Sequence, residues 1–338
     1  MRIAVCRPQV PFVYGGAEVM ADTLVDELRA RGHEAELVTV PYKWYPGTRA
    51  LEQAFLWRLL DLEHDDRPID RVIATKWPSY CVRHRDKVAW VVHQFRQAYD
   101  YDGTEFGQFS EAAHDRATRL AVDRLDRVAL GEARKVFAIS RNVVDRLRRH
   151  SDVEADYLPP PPQKLPYRTA EPEPFVLSVN RLDRAKRIDL LIEAAKLDRT
   201  LRIVIAGDGP DRERLEKLAS PLNGQVEFTG RVDDEQLADL YARCLAVFYA
   251  PHDEDYGMVP FEAFLSEKPV VTTTDAGGPL EIVHDRETGV VVAPDPREVA
   301  TACAYLGGHV EEAKAWGRAG KAVAERVTWD VCVDALLN

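Results

Sequence analysis

The stretch Leu245–Glu281, LAVFYAPHDEDYGMVPFEAFLSEKPVVTTTDAGGPLE, is compatible with few folds. Its opening run, Leu245 to Tyr249, is apolar without alternation, the pattern of a short strand buried on both faces of a parallel sheet. Pro251 ends that strand, because proline lacks a backbone donor and restricts the residue before it. An acidic, glycine-containing loop follows. Pro260 fits the first turn of a helix, Phe261 to Ser266 continue it, and Lys268-Pro269 stops it before a second strand at Val270 to Thr273. This strand–loop–helix–strand order separates two glutamates. Glu254 falls in the loop beyond a strand's carboxyl end and Glu262 in a first helical turn, both at the rim where open α/β sheets bind ligands.

The same rhythm recurs on both sides of a proline-rich segment. In the first half, strands are expected at Arg2 to Cys6, Ala35 to Val40, Arg71 to Thr75, Val88 to His93 and Val136 to Ser140, with an amphipathic helix through Val19, Met20, Leu24, Val25 and Leu28. Gly15-Gly16 precedes that helix; it serves a tight turn, or lets a backbone approach a ligand closely. His93 ends its strand, where its ring either packs locally or faces a cleft. The segment FRQAYDYDGTEFGQF carries five aromatics among polar residues and suits sugar stacking or an ordinary surface loop. Asp100-Tyr101-Asp102 has the form of a metal-holding D-x-D, but no other ligand cluster stands near it, and no metal is expected. The charged helix of residues 111–135 and the basic helix RNVVDRLRRH read as solvated faces, so membrane contact is not indicated.

Pro159 to Pro162, followed by Pro166, Pro172 and Pro174, reads as a stiff extended spacer. It places a first domain at residues 1–158, a hinge at 159–170 and a second domain at 171–321, with the tail 322–338 packing back on the first. In the second half, strands are expected at Phe175 to Val179, Leu201 to Ala206, Val226 to Thr229 and Gly289 to Ala293. Helices are expected at Ile188 to Lys196, Asp233 to Arg243, Val299 to Leu306 and Glu311 to Val327. The dinucleotide fingerprint G-x-G-x-x-G is absent from the first turn, and in Gly207-Asp208-Gly209 the third glycine is replaced by Arg212, which disfavours a nicotinamide enzyme.

A length of 338 residues allows two domains, and the composition is that of an ordinary globular chain. MRIAVCRPQV is interrupted too early by Arg7 and Pro8 for a signal peptide or a membrane span, so a cytoplasmic location is expected. The five cysteines form no C-x-x-C pair and read as core thiols. Residues 1–170 hold 26 Lys and Arg against 25 Asp and Glu, and residues 171–338 hold 19 against 31. That balance excludes bulk nucleic-acid binding, which needs a basic field. Any anionic ligand of the second half depends on local cations.

Such cations exist. At the carboxyl edge of the second half's expected sheet lie Arg181 and Lys186 from one loop, Gly230 to Val232 from another, the Glu254 loop with its Pro260 helix, and Gly277-Gly278. Two cations, a helix amino terminus and two glycine loops in an acidic domain suit a diphosphate. Carboxylates beside it suit ribose and sugar hydroxyls.

SVNRLDRAKRIDLLIEA, IAGDGP, FTGRV, EDYGMVPFE with seven residues between Glu254 and Glu262, PVVTTTDAGGPLEIV and ETGVVV occur in that order over residues 175–295. In these the chain resembles retaining glycosyltransferases of family 4; the first half matches more loosely through GGAE, RGHE, His93 and AIS. The resemblance implies the GT-B fold, an α/β architecture of two Rossmann-like domains facing across an interdomain cleft. It implies a hexosyltransferase that moves a sugar from a nucleoside-diphosphate sugar to a saccharide, lipid-linked or small-molecule hydroxyl, with retention and without a metal or other cofactor. By the same resemblance Arg181 and Lys186 bind the diphosphate, Glu254 takes donor-sugar hydroxyls, and Tyr256, Gly257, Met258 and Val259 present backbone N–H groups. Glu262 holds the ribose, Val232 meets the base, Gly15 and Gly16 approach the phosphate, and His93 lies near the transferred sugar. The chain departs from the family pattern with PPPP at the hinge and with Asp255 and Met258 at positions commonly glycine. A GT-B phosphorylase, a nucleotide-sugar epimerase or a non-catalytic nucleotide-sugar-binding subunit would present a similar site. Donor, acceptor and oligomeric state are not encoded in these motifs.

Overall fold

The computed structural model describes residues 1–63, 67–104 and 107–338. The chain divides into two compact units, Met1–Pro161 with Thr328–Asn338, and Pro162–Val327. The division falls inside the four-proline run. Pro160, Pro161 and Pro162 are buried, so the run is not the exposed spacer that its composition suggests.

The first unit contains β1 (Arg2–Gln9), α1 (Gly16–Ala30), β2 (Glu34–Pro41), α2 (Ala50–Leu59), β3 (Arg71–Ala74), β4 (Lys87–Val91), α3 (Ala113–Gly131), β5 (Lys135–Ala138), α4 (Arg141–Ser151) and β6 (Asp156–Tyr157). Its six strands are all parallel, in the order β2-β1-β3-β4-β5-β6. β3 and β4 are buried at every position; beyond the first residues, Arg71 and Lys87, whose cations are buried too, both runs are apolar.

The second unit contains β7 (Val176–Val179), α5 (Ile188–Leu197), β8 (Ile203–Ala206), α6 (Arg212–Ala219), β9 (Val226–Gly230), α7 (Asp234–Arg243), β10 (Ala246–Phe248), α8 (Met258–Leu265), β11 (Val270–Thr273), β12 (Gly289–Val292), α9 (Pro296–Gly308) and α10 (Val310–Ala324). Its strands, again parallel, run β12-β11-β10-β7-β8-β9. The chain therefore lays down β7, β8 and β9 outward in one direction, returns to the other side of β7 with β10, and continues outward to β12. This is the Rossmann order, and the crevice between the carboxyl ends of β7 and β10 is its topological switch point. One core fills the unit, with Leu191, Ile192, Ile203, Ile205, Phe248 and Val271 almost wholly buried among others from α5, α9 and α10.

The last helix, α11 (Trp329–Leu337), belongs to the first unit. Trp329 packs edge-on against Trp90 of β4 at 6.1 Å, and Arg71 of β3 donates to the Leu336 carbonyl at 3.0 Å. Among the described residues no helix is long and apolar enough to cross a membrane.

Candidate functional site

The loops at the switch point of the second unit carry the residues singled out from sequence. Residues 180–187 leave β7, and residues 249–257 leave β10, the adjacent strand. Lys186 comes from the first and Glu254 from the second, and they form an ion pair with side chains 19% and 23% exposed. Tyr249 lies alongside, its hydroxyl 3.4 Å from the Lys186 ammonium. Burial alone would depress the Lys186 pKa; the charge of Glu254, with Tyr249 and Asp183, outweighs it and holds the ammonium well above its ordinary value. Arg181, from the same loop as Lys186, is exposed. Asp183 lies between them in sequence, and burial raises its carboxyl pKa against the pull of Lys186 and Arg181.

Backbone pairing fixes Glu254 itself. Its N–H donates to Ala276 at 2.8 Å, its carbonyl accepts from Gly278 at 2.9 Å, and it bridges Gly277 in parallel fashion. The Glu254 loop and the Gly277-Gly278 loop are thus one short extension of the sheet beyond β10 and β11. Gly257, with φ 84°, turns the chain into α8, and a Cβ there would lie 2.8 Å from the Tyr249 ring. Only glycine meets both conditions. Tyr256 stacks on Phe261 at 5.0 Å, while Met258 and Val259 open the helix, half-buried. α8 begins two residues before Pro260, which sits inside its first turn as expected, where a missing N–H costs no helical bond.

Glu262 is 8% exposed on the buried face of α8 and accepts from the Tyr241 hydroxyl of α7 at 2.6 Å. Burial raises its pKa, and the Tyr241 hydrogen bond opposes that rise. Gly230 ends β9, two strands from β7, and half-buried Val232 follows it; the Gly207 N–H, from the loop after β8, donates to the Gly230 carbonyl at 2.8 Å. The turn Gly207-Asp208-Gly209 packs against the β7 loop, where a Cβ on Gly207 would lie 1.9 Å from the Asn180 carbonyl oxygen. Close backbone approach, not dinucleotide binding, accounts for that glycine.

The residues expected from the first half lie at the carboxyl edge of the first sheet. Gly15 and Gly16 open α1 and are exposed. His93 follows β4, half-buried, with Nδ1 2.8 Å from the Gln94 carbonyl. Beneath the glycines is a charged group that sequence reading did not single out. Lys76, just beyond β3, donates to Glu18 Oε1 at 2.7 Å; Glu18 Oε2 accepts the Gly15 N–H at 3.1 Å; and buried Arg7 bonds Asp22 at 3.2 Å. A Lys just beyond a strand that meets a Glu 58 residues away carries no signal in the sequence without the sheet register.

The acids of the D-x-D are engaged by arginines. Asp100 accepts from Arg96 at 2.7 Å and lies 3.6 Å from Arg146, and Asp102 pairs with Arg119. No group of three metal-ligating side chains occurs among the described residues. In the aromatic loop Phe95 stacks on Trp77 at 4.8 Å and meets Phe109 edge-on, which makes them packing residues; Glu105 and Phe106 lie outside the described residues.

Residues 163–323 match the family described as glycosyl transferases group 1. Alpha-1,3/1,6-mannosyltransferase ALG2 of Mus musculus is 32% identical over 197 residues, 52% of this chain and 47% of the relative, so the chain spans about half the length of the curated relatives it matches. Among solved structures, sucrose-phosphate synthase from Thermosynechococcus elongatus superposes with a TM-score of 0.80 at 19% identity over 99% of this chain and 97% of that one. Anabaena HepE in complex with UDP-glucose gives 0.70 at 16% identity over 99% and 98%. The second unit thus matches the glycosyl transferases group 1 model along nearly its whole length, and the chain as a whole has the GT-B fold.

Proposed function

We propose that this protein is a retaining glycosyltransferase that moves a sugar from a nucleoside-diphosphate sugar to a hydroxyl acceptor without a resident metal. The observation that carries the reading is the Lys186–Glu254 pair beside the amino end of α8, at the switch point of the second sheet. A phosphate-binding end and a sugar-binding carboxylate are thereby adjacent. The helix end, Arg181 and Lys186 neutralise the diphosphate. Glu254 accepts from donor-sugar hydroxyls, backbone N–H groups of Tyr256, Gly257, Met258 and Val259 line the approach, Glu262 takes the ribose and Val232 the base. In the same proposal Gly15 and Gly16 serve the donor phosphate and His93 the transferred sugar, while the acceptor belongs to the first unit.

The ion pair explains how two opposite charges serve one ligand. When the donor enters, the Lys186 ammonium turns to phosphate oxygens and Glu254 to the sugar hydroxyls, so each half of the donor replaces a partner that the other half removed. Transfer then breaks the bond between the anomeric carbon and the phosphate oxygen and forms one to the acceptor oxygen on the same face. The acceptor proton passes to the departing diphosphate, and the charge building there is stabilised by Arg181 and Lys186.

Lys186→Ala and Arg181→Ala should each lower turnover by about 10²-fold or more, with the melting transition preserved. Undiminished turnover in both would sink the proposal. The HepE structure holds UDP-glucose and the ALG2 name is that of a mannosyltransferase, so UDP-glucose and GDP-mannose head a thermal-shift screen. At 100 times its Kd a donor should add about 2.7 kcal/mol. Turnover should survive chelation, in keeping with the arginine-bound state of Asp100 and Asp102.

A further inference from the structure

We infer that Arg187 is a positioning residue for donor transfer, acting through Glu254 and not by touching the donor. The inference rests on the donor site proposed above and adds a residue to it. Arg187 follows Lys186 directly and stands at φ 49°, ψ 41°, the left-handed conformation that favours glycine. What holds a bulky residue there is its side chain. Nε donates to the Ala250 carbonyl at 2.9 Å, and Nη2 donates to the Pro251 carbonyl at 2.9 Å and to Thr273 Oγ1 at 2.8 Å. Nη1 and Nη2 reach the two carboxylate oxygens of Asp275 at 2.8 and 2.7 Å.

One guanidinium therefore ties together the three loops that leave β7, β10 and β11. The chain it grips is the chain that presents Glu254. Ala250 and Pro251 are the residues between β10 and that loop. Asp275 stands next to Ala276, which accepts the Glu254 N–H, and the Asp275 carbonyl accepts the Asp253 N–H at 2.9 Å. From the other side, His252 donates its N–H to the Ala185 carbonyl at 2.9 Å. Lys186 and Glu254 lie 68 residues apart in sequence, and Arg187 is the side chain that fixes one loop against the other. Lysine cannot replace it, because an ammonium is a point donor without the planar fork that spans a carboxylate and two carbonyls at once.

The test compares Arg187→Gly, Arg187→Lys and Asp275→Asn with the parent in the full chain. Glycine suits the left-handed backbone, so Arg187→Gly removes the clamp while easing the main chain. Three quantities are read: the melting temperature, the affinity for the bare nucleoside diphosphates UDP and GDP, and turnover with the corresponding nucleotide sugars. The diphosphate is held by Arg181, Lys186 and the α8 end, whereas the sugar depends on where Glu254 stands. Arg187→Gly should keep diphosphate affinity within about threefold and lower kcat by about 10²-fold, the scale of an ångström misplacement. Arg187→Lys should not rescue kcat, and Asp275→Asn, which spares the bonds to the two carbonyls, should fall between. Unchanged kcat in Arg187→Gly overturns the inference. So does a loss of diphosphate affinity in step with the melting temperature, which would make Arg187 a plain stability element. Should Arg187→Gly fail to fold, Asp275→Asn decides alone by the same two readings. A parent protein that binds and transfers no nucleotide sugar would instead overturn the functional reading beneath it.

Discussion

At the scale of single residues, Glu262 shows how burial and one hydrogen bond pull a carboxyl pKa in opposite directions. A free glutamate titrates near 4.3, and Glu262 lies above that because its carboxylate is out of water; the Tyr241 hydroxyl, 2.6 Å away, partly restores the charged form. Only the ionised carboxylate accepts from both ribose hydroxyls. With Glu262 in the proposed ribose role, donor affinity should be full above its folded pKa and fall as pH drops through it. Tyr241→Phe removes the bond that favours ionisation, so the pKa rises further and the acidic limb of donor affinity should move to higher pH. Calorimetric Kd values between pH 5 and 8 will show the shift, and Glu262→Gln should flatten the limb. An unmoved limb in Tyr241→Phe would separate Glu262 from donor binding. Residues of this kind were legible in the sequence because their signal is local: Glu254 and Glu262 stand around one proline-marked helix start. Arg187 was read only as part of a basic loop. Its acceptors lie 63 to 88 residues away, and neither its left-handed backbone nor its guanidinium partners leave a mark on neighbouring sequence.

At the scale of elements, the strands were the most legible, since a strand buried on both faces must be an unbroken apolar run. β3, β4, β7, β8, β10 and β11 fall within about two residues of the expected ranges. α2 went unassigned, because ALEQAFLWRL presents apolar side chains all round: Ala54 and Trp57 are buried while Phe55, Leu56 and Leu59 are exposed. At the amino end of α1 the sequence shows Gly15-Gly16, a tight turn or a close backbone approach to a ligand, and no sign of the charges around it. In the structure that end is an electrostatic assembly, in which Lys76 beyond β3 neutralises Glu18 of α1 while Glu18 caps Gly15. The pair is 12% and 8% exposed, and removal of Lys76 leaves Glu18 in low dielectric with only Arg7 among the described residues, 4.0 Å away, to offset its charge. Lys76→Met should cost about 3 kcal/mol in urea unfolding. Glu18→Gln placed on top should recover part of that loss, since an amide leaves no uncompensated charge, and an additive cycle would show that the two side chains do not communicate.

At the scale of the whole molecule, two copies of one α/β plan were readable from rhythm and from the proline run, but strand order was not. Rossmann order in the second unit arises from the return of the chain to β10 beside β7, and that return creates the crevice where Lys186 meets Glu254. Charge distribution was readable too, and it bears on how a donor arrives. Residues 171–338 carry 31 acidic against 19 basic side chains, so the far field of the donor half is repulsive to a nucleoside diphosphate. Two of the cations at the crevice do little to offset it at range, because Glu254 already neutralises Lys186 and Asp275 neutralises Arg187, which leaves the exposed Arg181 as one local charge against the acidic field. On the proposed reading, attraction should act mainly at short range, through Arg181 and through Lys186 once it exchanges its carboxylate for phosphate. Raising ionic strength from 0.01 to 0.15 M shortens the screening length from about 30 Å to about 8 Å, which removes the far field and leaves contact interactions largely in place. The association rate of a nucleotide sugar should accordingly rise or hold level over that range, measured by stopped flow with a fluorescent donor analogue. A steep fall would mean that a cationic field steers the donor, against the neutralised state of Lys186 and Arg187.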